Sequence, residues 1–386
     1  MVFRPMRVFL YLLVIFFLTP PTWANVRFLN ISDIHYGSDN TPGDGHDTDV
    51  ALLASSLNKF SHLANEVDFI LTLGDFATHG IKSSTKKAEY ISTVFHGLYK
   101  ADIAAKPMFY ITGNNDSLRG NYQPFSWEGK SPLTFAKDWQ GSCAHCKDLI
   151  IDGKHMQDEG YYLSYVLPGN KDIILIALNT TPFAKAPFFT LPYPNKDRDA
   201  SKQLLWLEKQ LKTHHAKQLL IAMHIPPGNN YHGSKTWQKK YLKQFIHLLN
   251  VFHENYEQVT LLTAHTHMDD VRKIHLSDGT NIYAYATPSV SRIHYNYPAM
   301  KIFDLDTDMR VKDYTTYYST KENQWADKYY QFTKHIFPQC NNQTLDKCQD
   351  LLTNEHICKT LKTGLFYGAK NPKVNSSVCK ITYMIN

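Results

Sequence analysis

The 386-residue sequence has little of what marks a membrane-spanning or nucleic-acid-binding protein. After residue 24 no apolar run reaches the ~18 residues that a transmembrane helix needs. Lys and Arg exceed Asp and Glu by only six, and they are scattered rather than clustered. The densest basic stretch, residues 235–243, is typical of the solvated face of a helix. Internal repeats and low-complexity segments are absent, so we expect a globular protein without a nucleic-acid partner or stable membrane insertion.

The first 24 residues have the pattern of an export signal. Arg4 and Arg7 precede an apolar run at 8–18, and Thr22-Trp23-Ala24 offers the small residues that a signal peptidase reads. As a helix this run would span about 16 Å, which is too short for a ~30 Å hydrocarbon core. We therefore expect cleavage after residue 24 and a secreted, periplasmic or lysosome-like luminal location.

The cysteines are few, and export favours disulfides over free thiols or metal ligands. Cys340, Cys348, Cys358 and Cys379 lie close together and predict two bridges in a small terminal module, with three pairings left open. The pair at 143 and 146 forms a CxxC without a second CxxC elsewhere. We interpret this pair as a loop staple rather than a zinc ribbon or a redox site.

Short apolar runs rich in β-forming residues alternate with amphipathic stretches. The predicted strands are 26–32, 69–73, 107–111, 173–178, 219–223 and 259–263. The predicted helices are 50–64, 86–99, 200–214 and 237–253. Continuous apolar runs suit strands that are buried on both faces, and their alternation with helices predicts an α/β sandwich.

The pattern changes in the last third of the chain. Residues 271–318 alternate like strands without helices and predict an antiparallel continuation of the sheet. Beyond about residue 320 the chain is polar and cysteine-bearing, with helical patterns around 324–335 and 345–361. We therefore divide the chain into a signal (1–24), a main domain (25–320) and a disulfide-stapled helical module (321–386).

Metal-ligating residue types stand where five predicted strands end. In chain order the motifs are D-x-H, Gly-Asp, Gly-Asn, a single His and H-x-H, and the residues are Asp33, His35, Asp75, Asn114, His224, His265 and His267. In open α/β folds, sites form beyond the carboxyl ends of the strands. Imidazole and carboxylate ligands without cysteine suit two catalytic divalent ions; we expect zinc, with manganese or iron as alternatives.

This ordered set, spread over about 235 residues, resembles the calcineurin-like metallophosphoesterases. The resemblance implies a four-layer α/β/β/α sandwich over residues 25–318, followed by the small helical, cysteine-bearing module. It also implies the ligand sets of two metals that share Asp75. One metal would take Asp33, His35, Asp75 and His267; the other would take Asp75, Asn114, His224 and His265.

Longer segments resemble one branch, the acid sphingomyelinase-like phosphodiesterases. These segments are HIPPG at 224–228, QLLWLEKQL at 203–211 and TPSVSRIHYNYPAMKIFDLD at 287–306. Only 24 residues precede the core, so we do not expect the saposin-like, lipid-presenting domain of that branch. Its absence weakens the case for membrane sphingomyelin as the substrate.

One catalytic position departs from the family. The family usually has GNH, whose His protonates the leaving group, whereas this chain has Asn115, which has no proton to give at neutral pH. His79, four residues after Asp75, matches a second His of the branch; it would bind phosphate or act as the acid, unless it is an ordinary loop histidine. The exported endopolyphosphatases also combine GNND with such a His.

These residues predict a hydrolase in which a metal-bridging hydroxide attacks phosphorus in line and His79 handles the leaving group. The expected substrate is a phosphodiester, pyrophosphate or related ester: a nucleotide, a CDP-alcohol, a phospholipid head group or polyphosphate. An endopolyphosphatase is the alternative enzyme. A binding protein on an inactive phosphoesterase scaffold is the alternative of another class; the missing GNH histidine favours it, and the complete set of ligands opposes it.

Overall fold

The computed structural model describes residues 25–39, 44–321, 325, 328–340, 343–360, 379 and 383–385. The strands are β1 (Arg27–Ile31), β2 (Phe69–Thr72), β3 (Met108–Tyr110), β4 (Cys143–Ala144), β5 (Ile150–Asp152), β6 (Tyr162–Leu167), β7 (Asn170–Leu178), β8 (Ala216–Met223), β9 (Tyr256–Thr263), β10 (Val271–His275), β11 (Asn281–Ala286), β12 (Ala299–Leu305), β13 (Val311–Tyr318), β14 (Lys328–Gln331) and β15 (Met384–Ile385). The α-helices are α1 (Val50–Ala64), α2 (Ser84–Ala101), α3 (Met156–Glu159), α4 (Lys196–Thr213), α5 (Lys239–Phe252), α6 (Leu345–Leu351) and α7 (Asn354–Thr360).

The described strands form two sheets. Their orders are β14-β13-β12-β1-β2-β3-β4 and β15-β10-β11-β9-β8-β7-β6-β5. In the first sheet β1, β2 and β3 are parallel, and in the second sheet β7, β8 and β9 are parallel. Since parallel strands bring their carboxyl ends to one edge, each sheet gathers the residues that follow its strands.

The sheets pack face to face with helices outside them. Along β7, Ile173 and Leu175 belong to the core that is shared with the first sheet, whereas Ile174 and Ile176 belong to the core under α4 and α5. This alternation is what a strand between two apolar layers requires. On the other side, α1 and α2 bury residues such as Phe95 in the core of the first sheet. The predicted four-layer α/β/β/α sandwich is confirmed.

Local capping sets the beginnings of α1 and α2. The side chain of Asp49 accepts a hydrogen bond from the N–H of Leu52, and Ser83 does the same for Lys86. These contacts satisfy N–H groups that the first helical turn leaves unpaired. The Ser83 cap explains why α2 begins two residues before its predicted position at 86.

Two structural predictions for the last third need correction. Residues 271–318 form strands without helices, mostly in antiparallel pairs, as predicted, but they extend two sheets instead of one: β10 and β11 join the second sheet, and β12 and β13 join the first. Instead of a helix at 324–335, β14 pairs antiparallel with β13 and is followed by a π-helical turn, Phe332–Ile336. Tyr330 is buried while Tyr329 is exposed, which is the period of a strand with one covered face.

Disulfides connect the cysteines as neighbours along the chain. The pairs are Cys143–Cys146, Cys340–Cys348 and Cys358–Cys379.

The division of the chain at residue 320 stays a prediction, since the tail adds β14 to one sheet and β15 to the other. Among the described residues, no helix has the length and apolarity to cross a membrane. The predicted signal, residues 1–24, lies outside the described residues.

Candidate metal centre

The strand ends bring the predicted ligands together from both sheets. The first sheet supplies Asp33 and His35 after β1, Asp75 after β2 and Asn114 after β3. The second sheet supplies His224 after β8 and the pair His265 and His267 after β9. All of them are buried except His265, which is partly exposed. The centre therefore lies where the carboxyl edges of the two sheets meet.

Two groups of candidate ligand atoms form within this set. Atoms of Asp33, His35 and His267 lie within 4.8 Å of one another, and atoms of Asp75, His224 and His265 form a second such group. One oxygen lies between them: Asp75 Oδ2 is 3.6 Å from His35 Nε2 and 3.2 Å from His224 Nε2. This is the position from which a carboxylate can bridge two ions.

The chemistry of these atoms fits divalent cations. Buried polar atoms normally have hydrogen-bond partners. Here the buried atoms without a partner include Asp33 Oδ1, His35 Nε2, Asn114 Oδ1, His224 Nε2 and His267 Nδ1. Every one of them can offer a lone pair, and their concentration at one point is what a cation site requires.

Contacts behind the ligands fix which atom faces the centre. His35 Nδ1 donates to the carbonyl of Ala77 at 3.1 Å, and His224 Nδ1 donates to the carbonyl of Leu73 at 2.6 Å. Because a carbonyl only accepts, each Nδ1 carries a hydrogen, and Nε2 is the atom that faces the candidate centre. The amide nitrogen of Asn114 likewise donates to a neighbouring side chain at 2.7 Å, which leaves its oxygen for the centre.

The backbone at the ligands lies in the left-handed region. The φ angles are 49° at Asp33, 48° at His35, 56° at Asp75, 70° at His265 and 63° at His267. Such angles are uncommon for residues other than glycine and cost on the order of 1–3 kcal/mol each. The surrounding fold therefore holds these turns in a strained form that aims the side chains at one point.

Two glycines allow the loops of the first sheet to approach. A Cβ at Gly74 would lie 2.2 Å from the backbone nitrogen of Gly113, and a Cβ at Gly113 would lie 2.0 Å from Asp75 Oδ1. Buried Asp116 joins the loops by accepting N–H bonds from Asp75, Phe76 and Gly113 at 2.7–2.9 Å. The Gly-Asp and Gly-Asn motifs are thus a steric requirement of this centre.

The charges of the centre stabilise one another. Burial opposes ionisation of Asp33 and Asp75, yet the neighbouring histidines, His224 first, lower the pKa of both carboxyl groups. Burial would also lower the pKa of His224, but Asp75 and Asp33 outweigh it and raise the pKa to about 10, so a cation that binds Nε2 would take the place of a proton there. Burial and the charge of His224 lower the pKa of His265 to about 3. The carboxylates are therefore ionised, as metal ligands must be.

His79 stands beside this centre on a loop of its own. Its ring stacks on that of His35 with centroids 3.9 Å apart, and its side chain is 34% exposed. His79 Nδ1 lies 2.9 Å from Oδ2 of buried Asp47, which also accepts the backbone N–H of His79. Asp47 is fixed in turn by hydroxyl donors from Thr78 and Ser291.

Asn115 holds the loop that carries His79. Its buried amide nitrogen donates to the carbonyls of Ala77 at 2.6 Å and Thr78 at 3.3 Å. Its oxygen lies 3.4 Å from Nζ of buried Lys87, whose pKa burial lowers to about 8. The side chain predicted from the GNND motif is therefore engaged in positioning the backbone.

Three neighbours of the centre were not predicted. They are Asp47, Tyr122, whose hydroxyl lies 3.2 Å from His265 Nε2, and His294, whose ring centroid lies 4.6 Å from that of His267. A signal existed only for His294, which falls within the segment 287–306 that resembles the sphingomyelinase-like branch. Asp47 and Tyr122 lie in irregular loops, where the sequence shows no hydrophobic periodicity from which their positions could be predicted.

The model of the calcineurin-like phosphoesterase family matches residues 26–269, from the residue before β1 to just beyond His267. The chain belongs to this family. The resemblance seen in the motifs is thereby confirmed, and the family is one of phosphoesterases with a two-metal centre. The structure adds candidate ligand groups for such a centre, while the identity of the metals stays a prediction.

Two relatives of known name are described as phosphodiesterases. The chain is 26% identical over 294 residues to "Sphingomyelin phosphodiesterase 1" of Caenorhabditis elegans, covering 70% of this chain and 48% of that protein. It is 26% identical over 290 residues to "Sphingomyelinase phosphodiesterase D" of Dictyostelium discoideum, covering 71% and 61%. The chain thus spans about half to three fifths of these relatives. A solved dimetal phosphatase from Danio rerio matches with a TM-score of 0.49 at 12% identity, covering 79% of this chain and 98% of that one.

Proposed function

We propose that this protein hydrolyses phosphodiesters or pyrophosphates with two divalent metal ions. The observation that supports it most directly is Asp75 Oδ2, which lies within 3.6 Å of a histidine from each ligand group. The relatives named as sphingomyelin phosphodiesterases support a phosphodiester over a monoester. The unpaired buried ligand atoms argue against a scaffold that has lost its metals.

The family pattern assigns the ligands to two ions. Asp33, His35, Asp75 and His267 would hold one, and Asp75, Asn114, His224 and His265 the other, with zinc as the expected metal and manganese or iron as alternatives. When bound, such a pair supplies a water-derived nucleophile at neutral pH and neutralises the charge that develops on the phosphoryl oxygens.

His79 is the proposed proton donor to the leaving group. Its Nδ1 is engaged by Asp47, so the other ring nitrogen is left for the substrate. A side chain that is one third exposed and stacked on His35 lies within reach of a substrate bound at the centre. Asp47 would keep the ring in one orientation, with Nδ1 turned away from the substrate.

A polyphosphate hydrolase is the second candidate. The observation in its favour is Asn115, which stands where the family has an acid and is tied to the carbonyls of Ala77 and Thr78. A phosphate leaving group departs with little protonation, whereas an alkoxide needs a proton. A chain without the usual acid therefore suits anhydrides better than alkyl esters.

The test is a substrate panel with purified protein and added Zn²⁺ or Mn²⁺. The panel contains sphingomyelin, a CDP-alcohol, nucleoside di- and triphosphates and polyphosphate. Asp75→Asn removes the shared ligand, and Asp172→Asn, at a partly exposed aspartate on β7, is the matched control. We expect hydrolysis by the wild type and the control that exceeds Asp75→Asn by several orders of magnitude. Equal rates for all three proteins would contradict the proposal.

A further inference from the structure

An aromatic tip projects from the loop between Phe183 and α4. Phe188 is 98% exposed, Phe189 76% and Leu191 59%. Scattered exposed apolar residues are ordinary, but three within four positions at a loop end form a contiguous apolar surface. We call these three residues the aromatic tip.

The stem below the aromatic tip is firmly held. Ala184 forms a bridge with Trp237, and the N–H of Lys185 donates to the carbonyl of Thr236 at 2.8 Å. On the returning side, Lys196 Nζ donates to the carbonyl of Ala184 at 2.5 Å, and Tyr193 bonds to the side chain of Asp199. The phenyl rings are thus presented to solvent by an ordered loop with anchors on both sides.

The aromatic tip lies at the rim of the metal centre. Gln123 Nε2 donates to the carbonyl of Leu191 at 2.7 Å. The preceding residue, Tyr122, places its hydroxyl 3.2 Å from Nε2 of the candidate ligand His265. Two consecutive residues therefore connect the loop with the centre, and a surface contacted by the tip would lie next to a phosphate ester bound at the centre.

Basic residues flank the stem. Lys185 is exposed, and the segment bonded to the stem carries exposed Lys235 and Lys239. The acidic residue Asp197 is paired with Lys240 at 2.8 Å, so it does not cancel these charges. The sequence places Lys185 fifty residues before Lys235, and only the fold brings them together. An apolar tip with a basic flank is complementary to an anionic lipid surface.

We propose that the aromatic tip enters the interfacial layer of a lipid bilayer that contains anionic lipids, so that the metal centre works at the membrane surface. Aromatic side chains favour this layer, and lysines add attraction to anionic head groups. The inference has two parts. Binding of the tip to a bilayer stands by itself, whereas the assignment of the substrate as a membrane lipid with a phosphodiester head group rests on the proposed function. Vesicle binding is independent of turnover.

The experiment is co-sedimentation with vesicles of phosphatidylcholine and phosphatidylglycerol. We expect the wild type to sediment and Phe188→Ser/Phe189→Ser to lose at least about tenfold in its partition coefficient. The matched control is Ile103→Ser, a 79% exposed residue between α2 and β3, which should sediment like the wild type. The double variant should keep its melting temperature and its rate on a soluble aryl phosphate diester.

Three results would overturn the proposal: no sedimentation of the wild type, equal sedimentation of the double variant, or equal losses in the double variant and the control. Sedimentation velocity tests whether a second copy of the chain, rather than a membrane, covers the aromatic tip. If the wild type is a dimer that the double variant converts to a monomer, the aromatic tip covers a second copy and the membrane proposal fails. Vesicle binding that depends on the aromatic tip, without any phosphoester hydrolysis, would support the membrane proposal and contradict the proposed function.

Discussion

The imidazole of His79 is held by Asp47, a buried carboxylate 2.9 Å from its Nδ1 and 32 residues away in the chain. Burial opposes the charge of Asp47, but His79 and His35 outweigh it and lower the pKa of its carboxyl group. An ionised carboxylate behind a histidine fixes the orientation of the ring and turns the other ring nitrogen outward. This pair gives the chain a candidate acid that the GNND motif does not supply.

The first prediction concerns that acid. His79→Ala should slow alkyl phosphodiesters by about 10²–10⁴-fold and p-nitrophenyl esters little, because only the alkoxide needs a proton to leave. Asp47→Asn should give a smaller loss with the same selectivity. The control is His96→Ala, since Nδ1 of His96 makes a comparable contact with the carboxylate of Asp138 on the surface. Steady-state rates on the two ester types are compared.

Other outcomes for His79 have distinct meanings. An equal loss on both ester types would show that His79 binds phosphate rather than donating a proton. No loss on either would leave it an ordinary loop histidine and refute the assignment. In that case Asn115→His, which restores the family residue, should raise alkyl ester turnover.

The second prediction concerns metal content. Protein purified without chelator should carry close to two metal equivalents, and Asp75→Asn should lower both because its carboxylate lies between the two groups. Asp172→Asn, whose side chain pairs with Lys217 at the surface, should keep the wild-type content. Elemental analysis of the purified proteins measures it. A variant that retains both metals would contradict the bridging position of Asp75.

The third prediction isolates the steric role of Gly74. Gly74→Ala and Gly169→Ala both place a side chain at positive φ, 84° and 75°, but only the first Cβ meets a neighbour, Gly113 N at 2.2 Å. Gly169→Ala should therefore show only the backbone cost, of about 1 kcal/mol. Gly74→Ala should lose more stability and most of its metal. Thermal unfolding measures the loss of stability in both variants, and elemental analysis measures the loss of metal. Equal losses in the two variants would refute the steric argument.

The fourth prediction concerns pH and Asp102, at the end of α2. Burial raises the pKa of this carboxyl group to about 6, so the folded chain holds the proton more tightly than the unfolded chain does. Its contribution to stability is full below pH ~4 and is lost as the pH rises through 6. Asp102→Asn should therefore be more stable at pH 8 by on the order of 1 kcal/mol after allowance for solvent screening.

Urea unfolding of Asp102→Asn and the wild type from about pH 3 to about pH 8 measures this difference. The two proteins should converge below pH ~4, where the wild-type carboxyl group is protonated in the unfolded as well as the folded state. Asp172→Asn, at a partly exposed position on β7, should show no such trend. A gap for Asp102→Asn that is constant with pH would show that burial does not raise the pKa.

The sequence predicted most of the parallel core because its signals are local. Continuous apolar runs mark buried strands, and the fold rule that sites form beyond their carboxyl ends places residues such as Asp33 and His224 together. Two-residue periodicity indicates a strand but not its sheet, which is why the strands after residue 271 were assigned to one sheet instead of two. Asp47, Tyr122 and the neighbourhood of Lys185 depend on loop paths that tertiary contacts decide.

The candidate ligands come from both sheets: Asp33, Asp75 and Asn114 from one, and His224, His265 and His267 from the other. Cations would therefore bind only the folded protein, in which the two sheets are packed together, because the unfolded chain does not bring these side chains together. By mass action, an ion at 100 times its dissociation constant adds about 2.7 kcal/mol to the free energy of unfolding. The metal supply of its compartment would thus govern how much of this protein survives proteolysis, as well as how fast each molecule works.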